Sequence, residues 1–123
     1  MQNSNQMKSI FINAQNREVK EVAIGSNVLQ ETYDLIGNGC TYVESALYLR
    51  GNDALVVDEE GLYKQDLCGF FLFGNFYYGN GVVWGCDNEG NNADCETSVQ
   101  DVTSGVKWVS SEEATRIKNS LLL

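Results

Sequence analysis

The chain of 123 residues contains no histidine and no proline. Without an imidazole there is no His-based general acid–base chemistry, no Ser-His or Cys-His nucleophile, and no ligand for most transition-metal sites. Positive charge is also scarce, with 8 Lys/Arg against 17 Asp/Glu and a formal net charge of −9. No Lys/Arg cluster stands out against that balance, so neither direct nucleic-acid binding nor attachment to an anionic membrane is expected. The cysteines at 40, 68, 86 and 95 form no C-x-x-C. A zinc site would need all four thiolates gathered from distant segments, so no metal and no cofactor are expected. The opening MQNSNQMKSI has no apolar signal region, which points to the cytoplasm, and to the host cytoplasm if the chain is viral. A phosphate-cradling Gly-Lys-Ser/Thr loop is missing. The run Gly79-x-Gly81-x-x-x-Gly85 is one residue too long for a dinucleotide fingerprint and leads into a strand pattern. With no internal linker, residues 1–123 read as a single domain with a polar, disordered tail over 1–7.

The dominant feature is Leu67–Cys86, LCGFFLFGNFYYGNGVVWGC, which carries no charge over 20 positions and holds four of the 5 Phe. Its glycines and asparagines make a poor membrane helix, whereas aromatic and β-branched residues suit strands. The stretch is expected to form two buried strands, Phe70–Phe73 and Val82–Trp84, joined near Gly79–Gly81, where Asn80-Gly81 supplies hairpin-turn chemistry. Alternation puts Phe71 and Phe73 on one face and Phe70 and Leu72 on the other. Either both faces are covered or aromatics lie exposed at Asn75–Asn80.

The remaining elements follow from period and punctuation. Lys8–Asn13 and Glu18–Ile24 read as a first hairpin. Asn27–Ile36 reads as a helix capped by Ser26 or Asn27, with Leu29, Thr32, Tyr33 and Ile36 on one face and Gly37 at its end. Strand patterns follow over Thr41–Leu49 and Ala54–Val57, then Leu62-Tyr63 beyond Asp58-Glu59-Glu60-Gly61. That tetrapeptide has the Asp-first, Gly-last form of a type I turn, repeated at Asp87-Asn88-Glu89-Gly90, and both read as solvated hairpin turns. Asn91–Ser98 reads as a polar loop, Val99–Ser104 as a helical turn and Val106–Val109 as a last strand. Ser110-Ser111-Glu112-Glu113 reads as a capping box opening a C-terminal helix. The predicted architecture is α+β, an antiparallel sheet of about five to seven strands with one central helix and a short C-terminal helix.

This order of motifs resembles a family of small phage and plasmid proteins known as a domain of unknown function. The matching parts are Ser9–Asn13, Glu18–Ile24, the Leu35-Ile36-Gly37 step, the Asp58–Leu62 turn and Gly81–Asp87, within residues 8–109. The chain departs from the family at Phe70–Tyr78, where members often carry an Asn-Arg or a proline. The family has no assigned catalytic residues to carry over, and the resemblance implies a mobile-element protein acting inside a bacterial cell.

The functional expectation is a non-enzymatic accessory protein that binds a host protein or a small-molecule ligand, including one that blunts a host defence. No catalytic residue is assigned. The expected working surface joins Asn75, Phe76, Tyr77, Tyr78 and Asn80 to the acidic turn residues Asp87 and Glu89, since aromatics and glycines on loops suit a flat apolar partner. One alternative is an acidic DNA mimic, which would need carboxylates in a regular row, although here they cluster at 58–60 and 112–113. The other is a carboxylate-dependent, metal-assisted enzyme. A Cys86–Cys95 bridge is open in principle, but the absence of a secretion signal favours reduced cysteines. Thiol titration of freshly prepared, unreduced protein is therefore expected to count four thiols, and fewer than four would contradict it.

Overall fold

The computed structural model describes residues 6–64 and 67–121. Nine strands and three α-helices occur among these residues. The strands are β1 (Met7–Asn13), β2 (Glu18–Ile24), β3 (Val43–Tyr48), β4 (Ala54–Asp58), β5 (Gly69–Leu72), β6 (Asn75–Tyr78), β7 (Gly81–Cys86), β8 (Asn92–Ala93) and β9 (Val106–Val109). The helices are α1 (Val28–Ile36), α2 (Val99–Gly105) and α3 (Ser111–Leu121). Every strand pairing is antiparallel, so the α+β expectation holds.

The strands divide into two sheets. One has six strands in the order β2-β1-β7-β4-β3, with β8 on the end of β7; the other has three, β6-β5-β9. A single sheet was expected, and the physical reason for two lies in Leu67–Cys86. That stretch forms three strands rather than two. Its tight turn is Phe73-Gly74, with φ of 49° and 87°, the positive pair of a type I′ hairpin. Gly79-Asn80 is instead the passage from one sheet to the other.

Side-chain alternation then sorts the core into layers. Ile10, Ile12, Leu55 and Val83 of the large sheet meet Phe70 and Leu72 of the small one, with Val102 of α2 beside them. The opposite face of the large sheet, Phe11, Ile24 and Val82, is covered by α1 through Ile36. The far face of the small sheet, Tyr78 and Val109 with Phe71 and Phe76 at its margin, is covered by Ala114 and Ile117 of α3. The layers run α1, large sheet, small sheet, α3. Both faces of the aromatic hairpin are therefore covered. Each of Phe70 and Leu72, fully buried, contributes about 1.5–3 kcal/mol by leaving water.

Several local expectations are corrected. The helix α1 has Asn27 at its N-cap, but no side chain caps it; the Glu31 carboxylate instead accepts from the Gly25 amide at 2.9 Å. Thr32 and Ile36 are buried as expected, whereas Leu29 is exposed; Val28 and Leu35, half-buried, pack beside Ile36 instead, and the Trp84 indole donates to Thr32 Oγ1 at 3.0 Å. Leu62-Tyr63 belongs to a 3-10 turn, Gly61–Tyr63, not to a strand. The complete capping box lies at Ser98/Asp101, ahead of α2; at the start of α3 the Ser110 hydroxyl accepts from the Glu113 amide at 3.2 Å, while the Glu113 carboxylate takes Arg116 at 2.9 Å. Of the expected tail, Met7 is already buried in β1, and residues 1–5 lie outside the described residues. All four cysteines are free.

The expected loop over Asn91–Ser98 contains β8 and two buried residues, Cys95 and Thr97. Asp53, 1% exposed, anchors it. One carboxylate oxygen accepts from the Thr97 amide at 2.7 Å, the Thr97 hydroxyl at 2.6 Å and the Glu96 amide at 2.9 Å. Burial and the Asp53 charge push the Cys95 thiol up to about 11, so it packs as a neutral group. Asp53→Ala strands those donors, and equilibrium urea unfolding is expected to show a loss of about 3 kcal/mol. A loss below about 1 kcal/mol would contradict this role.

Candidate functional site

The site is built on the β5–β6 hairpin. Its pairing sets Phe70 opposite Tyr77 and Phe71 opposite Phe76. Those rings lie 5.5 Å and 5.4 Å apart, tilted, close enough for aromatic attraction beyond simple burial. Phe76 and Tyr78 share the α3 side, 6.3 Å apart and edge-on, and Lys118 of α3 places its ammonium 5.7 Å over the Tyr78 ring. Desolvation raises the Tyr77 pKa, so the phenol stays neutral.

β6 is an edge strand of the small sheet, and the chain between β4 and Lys64 runs alongside it. Gly61 makes this approach possible, because a Cβ there would stand 2.8 Å from the Tyr78 carbonyl oxygen. Asp58 stabilises the turn from within. It is buried, 8% exposed; one carboxylate oxygen accepts from the Glu60 amide at 2.8 Å and the other pairs with Lys64 Nζ at 2.6 Å. Lys64 also donates to the Asn38 carbonyl at 2.9 Å, and Lys118 donates to the Lys64 carbonyl at 3.1 Å. Burial, then the nearby Asp58 charge, raises the Cys40 pKa. The turn expected to be a solvated hairpin is thus tied into the core by a charged pair.

Between β6 and this turn lies a groove of about 270 Å³, lined in part by Glu44, Glu59, Tyr63, Phe76, Tyr77 and Leu121. Tyr63 is 73% exposed, whereas Phe76 and Tyr77 are half-buried. In the described chain, neither Glu44 nor Glu59 forms a salt bridge.

The residues expected to form one surface are distributed among several places. Asn75–Tyr78 is a strand and not a loop. Asn75 is exposed beside the hairpin turn, Phe76 and Tyr77 reach the groove, and Tyr78 is buried at its base, 6% exposed. Asn80 lies outside the groove: its carbonyl oxygen accepts from the Ala14 amide at 2.8 Å and its NH2 donates to the Ile36 carbonyl at 3.2 Å. Asp87 and Glu89 lie past the far end of β7, a strand of 6 residues and therefore about 20 Å long. Asp87 acts on its own turn, accepting from the amides of Asn91 at 2.8 Å and Glu89 at 2.9 Å. These bonds, that to Asn91 foremost, hold its carboxyl below the usual range. The acidic turn that meets the aromatics is therefore the one at 58–61.

Sequence reasoning missed Glu44, Glu59 and Tyr63 as groove residues. It also missed a second depression of about 520 Å³ where Tyr48, Phe73 and Ser104 surround the Arg50–Asp101 ion pair. The one available signal was Gly61, set between an acidic pair and Leu62-Tyr63, which marks a place where another backbone comes close.

No family model, no curated protein and no solved structure matches the chain.

The geometry separates structural from surface aromatics. Tyr78→Ala is expected to cost about 3–5 kcal/mol, whereas Tyr63→Ala is expected to change stability by less than about 0.5 kcal/mol. Chemical denaturation of both variants checks this; equal losses would contradict the assignment.

Proposed function

We propose that this chain is a non-enzymatic binding protein, of the accessory kind carried by phages and plasmids, whose groove between β6 and the 58–63 segment takes a host protein or a small molecule. The observation that carries the reading is the meeting of Phe76, Tyr77 and Tyr63 with Glu44 and Glu59 around one groove. It combines half-buried aromatic residues at a sheet edge with a few polar groups, as binding sites do. The non-enzymatic part rests on the use made of the buried or hydrogen-bonded acids. Asp53, Asp58, Asp87 and Asp101 each serve as structural acceptors. In Asp101 the Ser98 amide bond, followed by Arg50, holds the carboxyl low, the reverse of what a general acid near neutral pH needs. The phage or plasmid character rests on the turn-and-strand resemblance.

Native mass spectrometry of the protein drawn from the cells that make it, compared with the Tyr63→Ala variant, tests this reading. A mass retained by the wild type and lost from the folded variant is expected. Equal retention by both would overturn the groove as the binding surface.

A further inference from the structure

We infer that Asn38 is a site of spontaneous covalent modification, where the folded chain converts asparagine to aspartate and isoaspartate, while the second Asn-Gly step, Asn80-Gly81, is protected by the fold. Asn-Gly occurs twice in the sequence, at 38–39 and at 80–81. In such a step the backbone nitrogen of the glycine attacks the asparagine Cγ, and no Cβ on the glycine obstructs the approach. The nitrogen gives up its proton, a new N–Cγ bond closes a succinimide ring, and the Cγ–Nδ2 bond breaks to release ammonia. Solvent water then opens one of the two imide C–N bonds. The product is an aspartate with the ordinary backbone, or an isoaspartate whose chain runs through Cγ. Water is the only co-reactant. The step needs a glycine amide outside any backbone ladder and an asparagine side chain free to swing onto it.

The two steps differ in both respects. Asn38 and Gly39 are exposed and form the centre of a tight turn, with φ of 55° and 72°, the positive pair of type I′. One bond closes it, from the Cys40 amide to the Gly37 carbonyl at 3.0 Å. Among the described residues the Gly39 amide has no backbone acceptor, and a Cβ on Gly39 would meet nothing within 4 Å. Lys64 Nζ holds Asn38 by its backbone carbonyl, at 2.9 Å, not by its side chain. An exposed turn closed by a single bond opens at low cost. Asn80 is instead fixed at both ends of its side-chain amide, by the Ala14 amide at 2.8 Å and the Ile36 carbonyl at 3.2 Å. Gly81 is buried in β7, paired with Ile12 of β1 and Val57 of β4. Reaction there would require the large sheet to open at its central strand. Solvent access does not separate the two, since both asparagines border one depression of about 180 Å³. Conversion at position 38 places a new carboxylate on a residue bonded to Lys64, the partner of Asp58 at 2.6 Å. The modification thus falls beside the ion pair that ties down the turn next to β6.

Ageing the wild-type protein at neutral pH and physiological temperature, once folded and once in concentrated urea, and then mapping its tryptic peptides tests the inference. Cleavage after Lys20, Arg50, Lys64 and Lys107 puts Asn38 on peptide 21–50 and Asn80 on peptide 65–107. Fragment ions then locate each mass gain of about 1 Da. In the folded protein Asn38 is expected to convert at least about tenfold faster than Asn80. In urea the two are expected to convert within about threefold of each other, which makes the difference a property of the fold. The aged folded protein is also expected to show a later anion-exchange peak, from the added negative charge, that carries the modified 21–50 peptide. That peak is expected to accept a methyl group from S-adenosylmethionine through protein isoaspartyl methyltransferase. Asn38 staying intact as long as Asn80 in the folded protein would overturn the inference, as would the same difference in rate persisting in urea. A late peak that accepts no methyl group would overturn the succinimide route.

Discussion

The structure depends on one short passage of chain. β6 ends at Tyr78 and β7 begins at Gly81, so only Gly79 and Asn80 separate the edge of the small sheet from the central strand of the large one. That short link keeps the end of β6 beside the start of β7, and the sheets stack through Phe70 and Leu72 against Ile10, Ile12, Leu55 and Val83. Gly79 turns with φ of 96°, a region in which a Cβ is unwelcome, while its amide donates to the Cys68 carbonyl at 2.8 Å. Asn80 then joins the ends of β1 and α1 through its side-chain amide. At Gly81 a side chain would press on Leu55 and Phe70, at 3.0 and 3.1 Å. Phe70 of the small sheet fills that space, so the absence of one side chain makes the seat for another.

The groove follows from this passage. Because β6 is held over the start of β7, its outer edge faces the segment that leaves β4, the neighbour of β7. Gly61 lets that segment close on Tyr78, and Asp58 with Lys64 keeps it there. The chain's acids divide accordingly. Those with fixed partners shape turns and helix ends, while Glu44 and Glu59 stay exposed to solvent.

Much of the architecture was legible because the signals were local. The β1–β2 hairpin, α1 with Gly37 at its end, and the alternation of Phe70 and Leu72 against Phe71 follow from period alone. The division into two sheets was not legible. Asn80-Gly81 carries the chemistry of a hairpin turn, yet its side-chain amide is used by residues far away in sequence. The real turn holds Phe73 in the left-handed region, where a bulky residue gives no sequence signal. For the site, the aromatics Phe76 and Tyr77 were visible, but their acidic neighbours were sought at Asp87, close in sequence. The 58–61 turn reaches them instead, through pairing of β4 with β7, a tertiary fact that composition does not carry.

The central claim is that the two-residue passage at Gly79-Asn80 makes the sheets one cooperative unit that holds the groove in shape. Native-state amide hydrogen exchange tests it most directly. The account predicts that amides of β5 and β7 open together, with the same free energy and denaturant dependence, at the top of the protection range. Small-sheet amides that exchanged through a separate, easier opening while β7 stayed protected would contradict it.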